Sequence, residues 1–413
     1  MSGAERVRLS SARLANLDRM LKEKYVDTGR LPGTLTQVWR RGELAHMSIV
    51  GSMDLERRMA MREDAIFRIY SMTKPITAVA LMMLVEEVRI SLGDDVATYI
   101  PSWKDLAVFV SGTPGAFVTT QTRRAMKVID LATHTSGLTY PWMARTRVDA
   151  AYHEIGIDEP TFTGDLAAMI DELGKLPLEF SPGEKWNYSV SIDVLGYLVQ
   201  KISGQSFGEF LRTRLFEPLG MNDTAFHCPA SKRERFTSCY QAYPDDRPLT
   251  LQDDAGNSTY AEPPKLESGG GGLVSTASDY MRFCRMFLGG GSLDGVRILS
   301  PKTVALFSLN HLPGNRGMIE MNNGWRLYDQ AGFNGLGFSL ACGVTMDVGQ
   351  TRIPGTPGEF WWSGAADTTF WVDPREDLAV VFMTQVKGSP HEFHIRRDVR
   401  TVVYSAFTES YVS

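Results

Sequence analysis

Apolar residues recur at helical spacing near the start of the chain, where Leu14, Leu17, Leu21 and Tyr25 fall on one face. Ser10 and Ser11 stand where an N-cap belongs, and Leu31-Pro32-Gly33 breaks the pattern. Thr34 to Arg40 and Glu43 to Val50 read as a hairpin around Arg41-Gly42, and Ala65 to Tyr70 as a further strand. That strand runs into the longest apolar stretch, residues 76–85, which predicts a helix and is far too short to span a bilayer. Leu92-Gly93-Asp94-Asp95 marks a turn, and a long middle section follows that is rich in helical pattern. Strand-like runs return late, over Leu336–Met346, Glu359–Val372 and Leu378–Gln385. Strands early, helices in the middle and strands late predict a sheet built from both chain ends, with a helical insertion covering one side.

Bulk properties narrow the function classes. Apolar content of 43% and charged content of 22% are those of a soluble globular chain, and 413 residues allow one large unit or two to three ordinary domains. A net charge of −5 gives no reason to expect a nucleic acid or an anionic membrane as partner. Cys228, Cys239, Cys284 and Cys342 are scattered without metal-like spacing. The stretch Met1–Arg8 lacks a secretory core, so the expected location is cytoplasmic. The run Gly269–Gly272 is too short to be a linker.

Three stretches carry candidate chemistry. The first is Ser71-Met72-Thr73-Lys74, at the junction of a strand and the apolar helix. Residues three apart share a helix face, so the amine of Lys74 neighbours the Ser71 hydroxyl and can help remove its proton. The helix N-terminus adds free N–H groups and a partial positive charge, and Pro75 sits where its missing N–H costs least. The plainer reading is an N-cap serine with a surface lysine, and the motif alone is weak. The second is Trp186-Asn187-Tyr188-Ser189, after the turn at Pro182-Gly183 and before a helix from Asp193 to Val199. Tyr188 can point its hydroxyl into a cleft there, or be a buried aromatic with one satisfied hydroxyl. The third is Trp361-Trp362-Ser363-Gly364-Ala365-Ala366, where small residues permit close backbone approach and a free N–H can serve as an oxyanion donor, or merely mark a bulge.

Gly204-Gln205-Ser206-Phe207-Gly208 fits a nucleophile-elbow pattern, but helix precedes it where that motif needs a strand. Gly204 reads instead as a C-cap and Ser206 as an N-cap. His134 reads as a structural hydrogen-bonder. His391 and His394 keep an α/β-hydrolase alternative alive, and no third ligand accompanies them, so no metal is expected.

In this order, Ser71-x-x-Lys74, Tyr188 and Trp362-Ser363-Gly364 resemble the serine β-lactamase and penicillin-binding-protein fold, and within it are most similar to family VIII carboxylesterases. Leu131–Leu138, Gly269–Asp279 and Phe370–Pro374 support the resemblance, which runs from about residue 10 to about residue 405. It implies an α+β, β-lactamase/transpeptidase-like unit over 1–413, its antiparallel sheet flanked by helices. An α/β subdomain would span 1–90 and 280–413, with a mainly helical subdomain over 91–279. It implies a serine carboxylesterase in which Ser71 forms an acyl-enzyme and Lys74 and Tyr188 handle the protons. Neither an amine nor a phenol is a ready base at neutral pH; proximity changes that, and which of the two is the base stays open. The backbone N–H groups of Ser71 and Ala365 would form the oxyanion hole. No cofactor is implied.

Departures from the lactamase pattern bear on substrate. Trp362 stands where β-lactamases carry a lysine for the antibiotic carboxylate, and Val190 where an asparagine follows the tyrosine by two positions. Both changes favour short-chain, uncharged esters as the small-molecule partner. Pocket candidates are Tyr140, Trp142 and Met143, with Trp362, Ser363 and Gly364 opposite. The alternatives are an acyltransferase, a weak β-lactamase or amide hydrolase on the same fold, and a catalytically silent binding protein, against which the intact Ser71, Lys74 and Tyr188 speak.

Overall fold

The two chain ends meet in one eight-stranded sheet, seen in a computed structural model that describes residues 3–157, 162–245, 247–324 and 333–411. Met1 and Ser2, at the head of the N-terminal stretch read above, lie outside the described residues. The strand order is Leu336–Phe338, Gly343–Thr345, Phe360–Ser363, Thr369–Asp373, Leu378–Met383, Gly33–Arg40, Glu43–Asp54 and Met59–Ala60. Every neighbouring pair is antiparallel. The early hairpin lies beside the late strands, with Leu35 opposite Met383 and Arg40 opposite Leu378.

Two of the late apolar runs are hairpins where single strands were expected. Leu336–Met346 doubles back through Ser339-Leu340-Ala341-Cys342, and Glu359–Val372 through residues 364–368. The first turn is buried and, Ser339 apart, keeps apolar residues, so no cluster of polar turn residues punctuates it in the sequence. Ala341 takes the left-handed conformation there, at φ 56°.

Helices cover both sheet faces. Leu14 and Leu17 of Ser11–Met20 pack with Ile395 and Val399 of Glu392–Ser405 over Val38, Val380 and Phe382. Ser10 caps the first of these helices, its Oγ accepting the Arg13 N–H at 3.3 Å. On the other face Phe287 of Ala277–Leu288 meets Phe360 edge-on, with ring centroids 5.0 Å apart. The apolar run at 76–85 is a helix, Thr73–Glu86, buried from Thr73 through Leu84 and packed against the Ser191–Ser203 helix. That is why its apolar residues are not confined to one stripe.

The middle section is less purely helical than expected. It holds the hairpin Ala107–Thr113/Ala116–Gln121 and the strands Cys239–Gln241, Thr250–Asp253 and Val274–Thr276. Most of the first hairpin is exposed on both faces, which erases the period-two pattern a half-buried strand would show.

Gly204 closes the Ser191–Ser203 helix in the left-handed region at φ 77°, and Ser206 Oγ accepts the Glu209 N–H at 3.2 Å. Both are helix caps. Replacing the cap hydroxyl by Ser206→Ala is expected to cost about 0.5–2 kcal/mol of stability in a urea melt. Turnover should stay within experimental error of the unaltered protein.

Candidate active site

Ser71 lies half-buried in the single 3₁₀ turn Tyr70–Met72, at the head of the Thr73–Glu86 helix. The i, i+3 spacing delivers the expected neighbour: Lys74 Nζ donates to Ser71 Oγ at 3.0 Å. Tyr70, just before the serine, sits at φ 41°, a conformation a non-glycine residue keeps only when its surroundings impose it. Those surroundings are specific. The strand Ile66–Arg68 pairs with Val274–Thr276, the Ile69 N–H donates to Leu273 O at 3.0 Å, and Tyr280 OH donates to Met72 O at 2.9 Å.

Lys74 is completely buried and far from the surface lysine of the plainer reading. Its Nζ also donates to Gly270 O at 2.6 Å and lies 4.5 Å from the centre of the Tyr188 ring and 5.5 Å from that of Tyr140. The glycine run is therefore a loop that holds the lysine. Its neighbour Gly269 O accepts Thr77 Oγ1 at 2.8 Å. A Cβ on Gly269 would stand 2.7 Å from Ile192 O, and one on Gly270 2.5 Å from Asp193 Oδ2. Only glycine lets this backbone lie so close to its neighbours. The run is visible in the sequence, but its role depends on which helix it touches.

Tyr188 precedes the Ser191–Ser203 helix and is boxed in by aromatic rings. Trp186 stacks on it at 6.2 Å, and Tyr140, Trp362 and His134 lie at 5.4, 5.6 and 4.7 Å. Trp362 Nε1 donates to the Tyr188 hydroxyl oxygen at 3.3 Å. A donor aimed at an oxygen favours negative charge there. The indole that replaces the lactamase lysine thus reaches the tyrosine, which spacing along the chain could not reveal. His134 Nδ1 lies 3.0 Å from Ser189 Oγ, and burial, then Lys74, pushes the imidazole well below the usual histidine range. It is the structural partner expected of it.

The Phe360–Ser363 strand docks onto the serine turn through Gly364. A Cβ there would stand 2.3 Å from Thr368 Oγ1 and 2.4 Å from Ile69 O, which accounts for the small residues after Trp362. Ala365 is exposed beside Ser71, and among the described hydrogen bonds its N–H has no acceptor.

A cavity of about 530 Å³ opens on Ser71 and is lined by Tyr140, Trp142, Tyr188, Trp362, Ser363, Gly364 and Ala365. Met143, expected beside them, is instead buried in the hydrophobic core and does not line this cavity. Sequence reasoning missed Ile157, Met169, Leu266, Phe333, Trp361 and Phe393, which complete the apolar wall, and the charged Asp193, Lys387 and Arg396. Apart from Trp361, which adjoins Trp362 in the late-strand motif, their positions are scattered between residues 157 and 396 with no shared motif. Among the described residues no histidine lines the cavity; His391 and His394, 6.3 Å apart, lie at the start of the Glu392–Ser405 helix.

The family model described as Beta-lactamase matches residues 18–404. Protein Rv1367c of Mycobacterium tuberculosis is 34% identical over 362 residues, 87% of each chain. Esterase EstB of Burkholderia gladioli is 28% identical, over 96% of this chain and 95% of its own length. Among solved structures, EstCE1, a hydrolase with promiscuous acyltransferase activity, superposes with a TM-score of 0.77 at 22% identity, covering 95% of this chain and 99% of its own.

Proposed function

Because the chain belongs to the β-lactamase family, we propose that it is a serine carboxylesterase acting on short-chain, uncharged esters through a Ser71 acyl-enzyme. The observation that carries this reading is the contact of Ser71 Oγ with the buried Lys74 Nζ at 3.0 Å, with the Tyr188 ring 4.5 Å from the same nitrogen. Ser71 Oγ attacks the ester carbonyl carbon as its proton passes to the Lys74–Tyr188 pair. The oxyanion is received by the N–H groups of Ser71 and Ala365, each such donor contributing about 3–4 kcal/mol in the transition state. Collapse breaks the bond to the alcohol oxygen, which takes the proton back from the pair. Water then attacks the acyl carbon by the same route and releases the acid.

The wall supports an uncharged acyl group. Trp362 is 3% exposed with its N–H committed to Tyr188, and Val190 adds an apolar surface. The charge of Arg396 is offset by Asp367 at 3.7 Å, and Lys387 lies toward Tyr70, 5.4 Å from its ring centre. A carboxylate placed against Trp362 loses hydration that the indole, unlike a lysine, does not restore. Neutral p-nitrophenyl butyrate is therefore expected to exceed nitrocefin in kcat/KM, and Trp362→Lys to shift the ratio toward the carboxylated substrate. If nitrocefin wins on the unmodified protein, the lactamase reading replaces the esterase one, with Lys387 as the cation that meets the carboxylate.

A second reading is acyl transfer to an alcohol. A cavity of about 530 Å³ is larger than a short ester needs, leaving space for an acceptor beside the acyl group. Added 1-butanol partitions the acyl-enzyme: a rise in butyl ester at the expense of free acid favours the transferase.

A further inference from the structure

The Ser191–Ser203 helix carries an acid in its first turn, Asp193, that faces away from bulk water. Its residue is 4% exposed and borders the cavity. Oδ1 accepts two hydrogen bonds, from Ser268 Oγ at 2.5 Å and from the Gly270 N–H at 2.9 Å. The carbonyl of that same Gly270 accepts Lys74 Nζ at 2.6 Å. One peptide-bearing residue thus stands between a buried carboxylate and a buried ammonium, touching the acid with its N–H and the amine with its C=O. We propose that Asp193 is the counter-charge of Lys74, a positioning residue that holds the ammonium against Ser71 through the backbone of Gly270.

Three further observations support this. Burying a carboxylate needs compensation, and two hydrogen bonds with an ammonium just beyond them supply it. Burial raises the carboxyl above its usual range while Lys74 heads the influences that pull it back. The glycine at 270 is the residue that this arrangement demands, since a Cβ would strike Asp193 Oδ2 at 2.5 Å. The plainer role, an acid stabilising a helix N-terminus, explains neither the burial nor the bond to Gly270.

The inference rests on the acyl-enzyme reading, so the experiment scores the two separately. Asp193→Asn keeps an oxygen acceptor for Ser268 and Gly270 and removes only the charge. It is expected to lower kcat for p-nitrophenyl butyrate about 10- to 100-fold with KM changed less than about 3-fold, a loss at or below the lower end of general acid–base help, as befits a residue acting through another. The groups that face Lys74 are Ser71 in the turn before its helix, His134 and Tyr140 from the stretch after the Val128–Ala132 helix, Tyr188, and Asp193 behind Gly270. Taking away the one negative charge in that set weakens proton binding by the rest. The limb of the kcat/KM profile that reports the pair should therefore move to lower pH. Ser268→Ala, which removes a hydrogen bond and keeps the charge, should leave that limb in place.

The rate at which an organophosphonate labels Ser71 gives a readout independent of substrate choice, and should fall with kcat/KM in Asp193→Asn. A folded Asp193→Asn with an unmoved pH limb and a labelling rate within twofold of the unaltered protein overturns the proposal. Should that variant not fold, Gly270→Ala decides, since it displaces the shared backbone group. A slower label with a shifted limb supports the proposal, and an unshifted limb overturns it. Failure of the unaltered protein to take label at Ser71 would instead overturn the acyl-enzyme reading itself.

Discussion

Ser71→Ala is expected to lower p-nitrophenyl butyrate turnover by at least about 10⁴-fold, the scale of loss when the nucleophile of a serine hydrolase is removed. The fold should survive. The hydroxyl receives a hydrogen bond from Lys74, while the turn itself is held by other groups: Ile69 N–H to Leu273 O at 3.0 Å and Tyr280 OH to Met72 O at 2.9 Å. Far-ultraviolet circular dichroism and the melting temperature of the variant should stay close to those of the parent. An organophosphonate should add its mass to the peptide bearing Ser71 and to no other. Label on Ser206 would revive the nucleophile-elbow reading, against its capping bond to Glu209 N–H at 3.2 Å.

Lys74→Ala and Tyr188→Phe should each lower kcat by about 100-fold or more, as expected on losing general acid–base help. The double variant should be little worse than either single one, because the two side chains serve one proton path. Their geometry argues for a unit: Lys74 Nζ sits 4.5 Å from the centre of the Tyr188 ring. Losses that multiply would show that they act in separate steps. Each variant also carries a structural cost that the assay must correct for. Lys74→Ala leaves Gly270 O without the donor it has at 2.6 Å, and Tyr188→Phe leaves Trp362 Nε1 without its acceptor. An unsatisfied buried polar group costs about 1–3 kcal/mol, so melts should accompany the kinetics.

Features that depend on near neighbours along the chain were legible in its residues. The pairing of Ser71 with Lys74 follows from helical spacing, the hairpin at Arg41-Gly42 from turn chemistry, and the caps at Ser10, Gly204 and Ser206 from local hydrogen bonding. The order of strand-like and helical runs predicted a sheet from both chain ends, and three motifs in a familiar order implied its antiparallel pairing, since periodicity alone gave strands without their partners. The contacts that had to await the fold lie between residues far apart. Trp362 and Tyr188 are 174 positions from each other, and Lys74 and Gly270 are 196. Whether such groups touch depends on how a sheet strand is registered and how two helices cross, and a shift of one residue would turn Trp362 to the opposite face. The same reason put Met143 in the core while Tyr140 and Trp142 reached the cavity, and hid Asp193 behind a glycine run. The turn at Ser339–Cys342 went unread because, being buried, it is mostly apolar and lacks the cluster of polar residues that announces an exposed turn. Bonds between neighbours are encoded by spacing; bonds across the molecule are set by packing, which no short stretch contains.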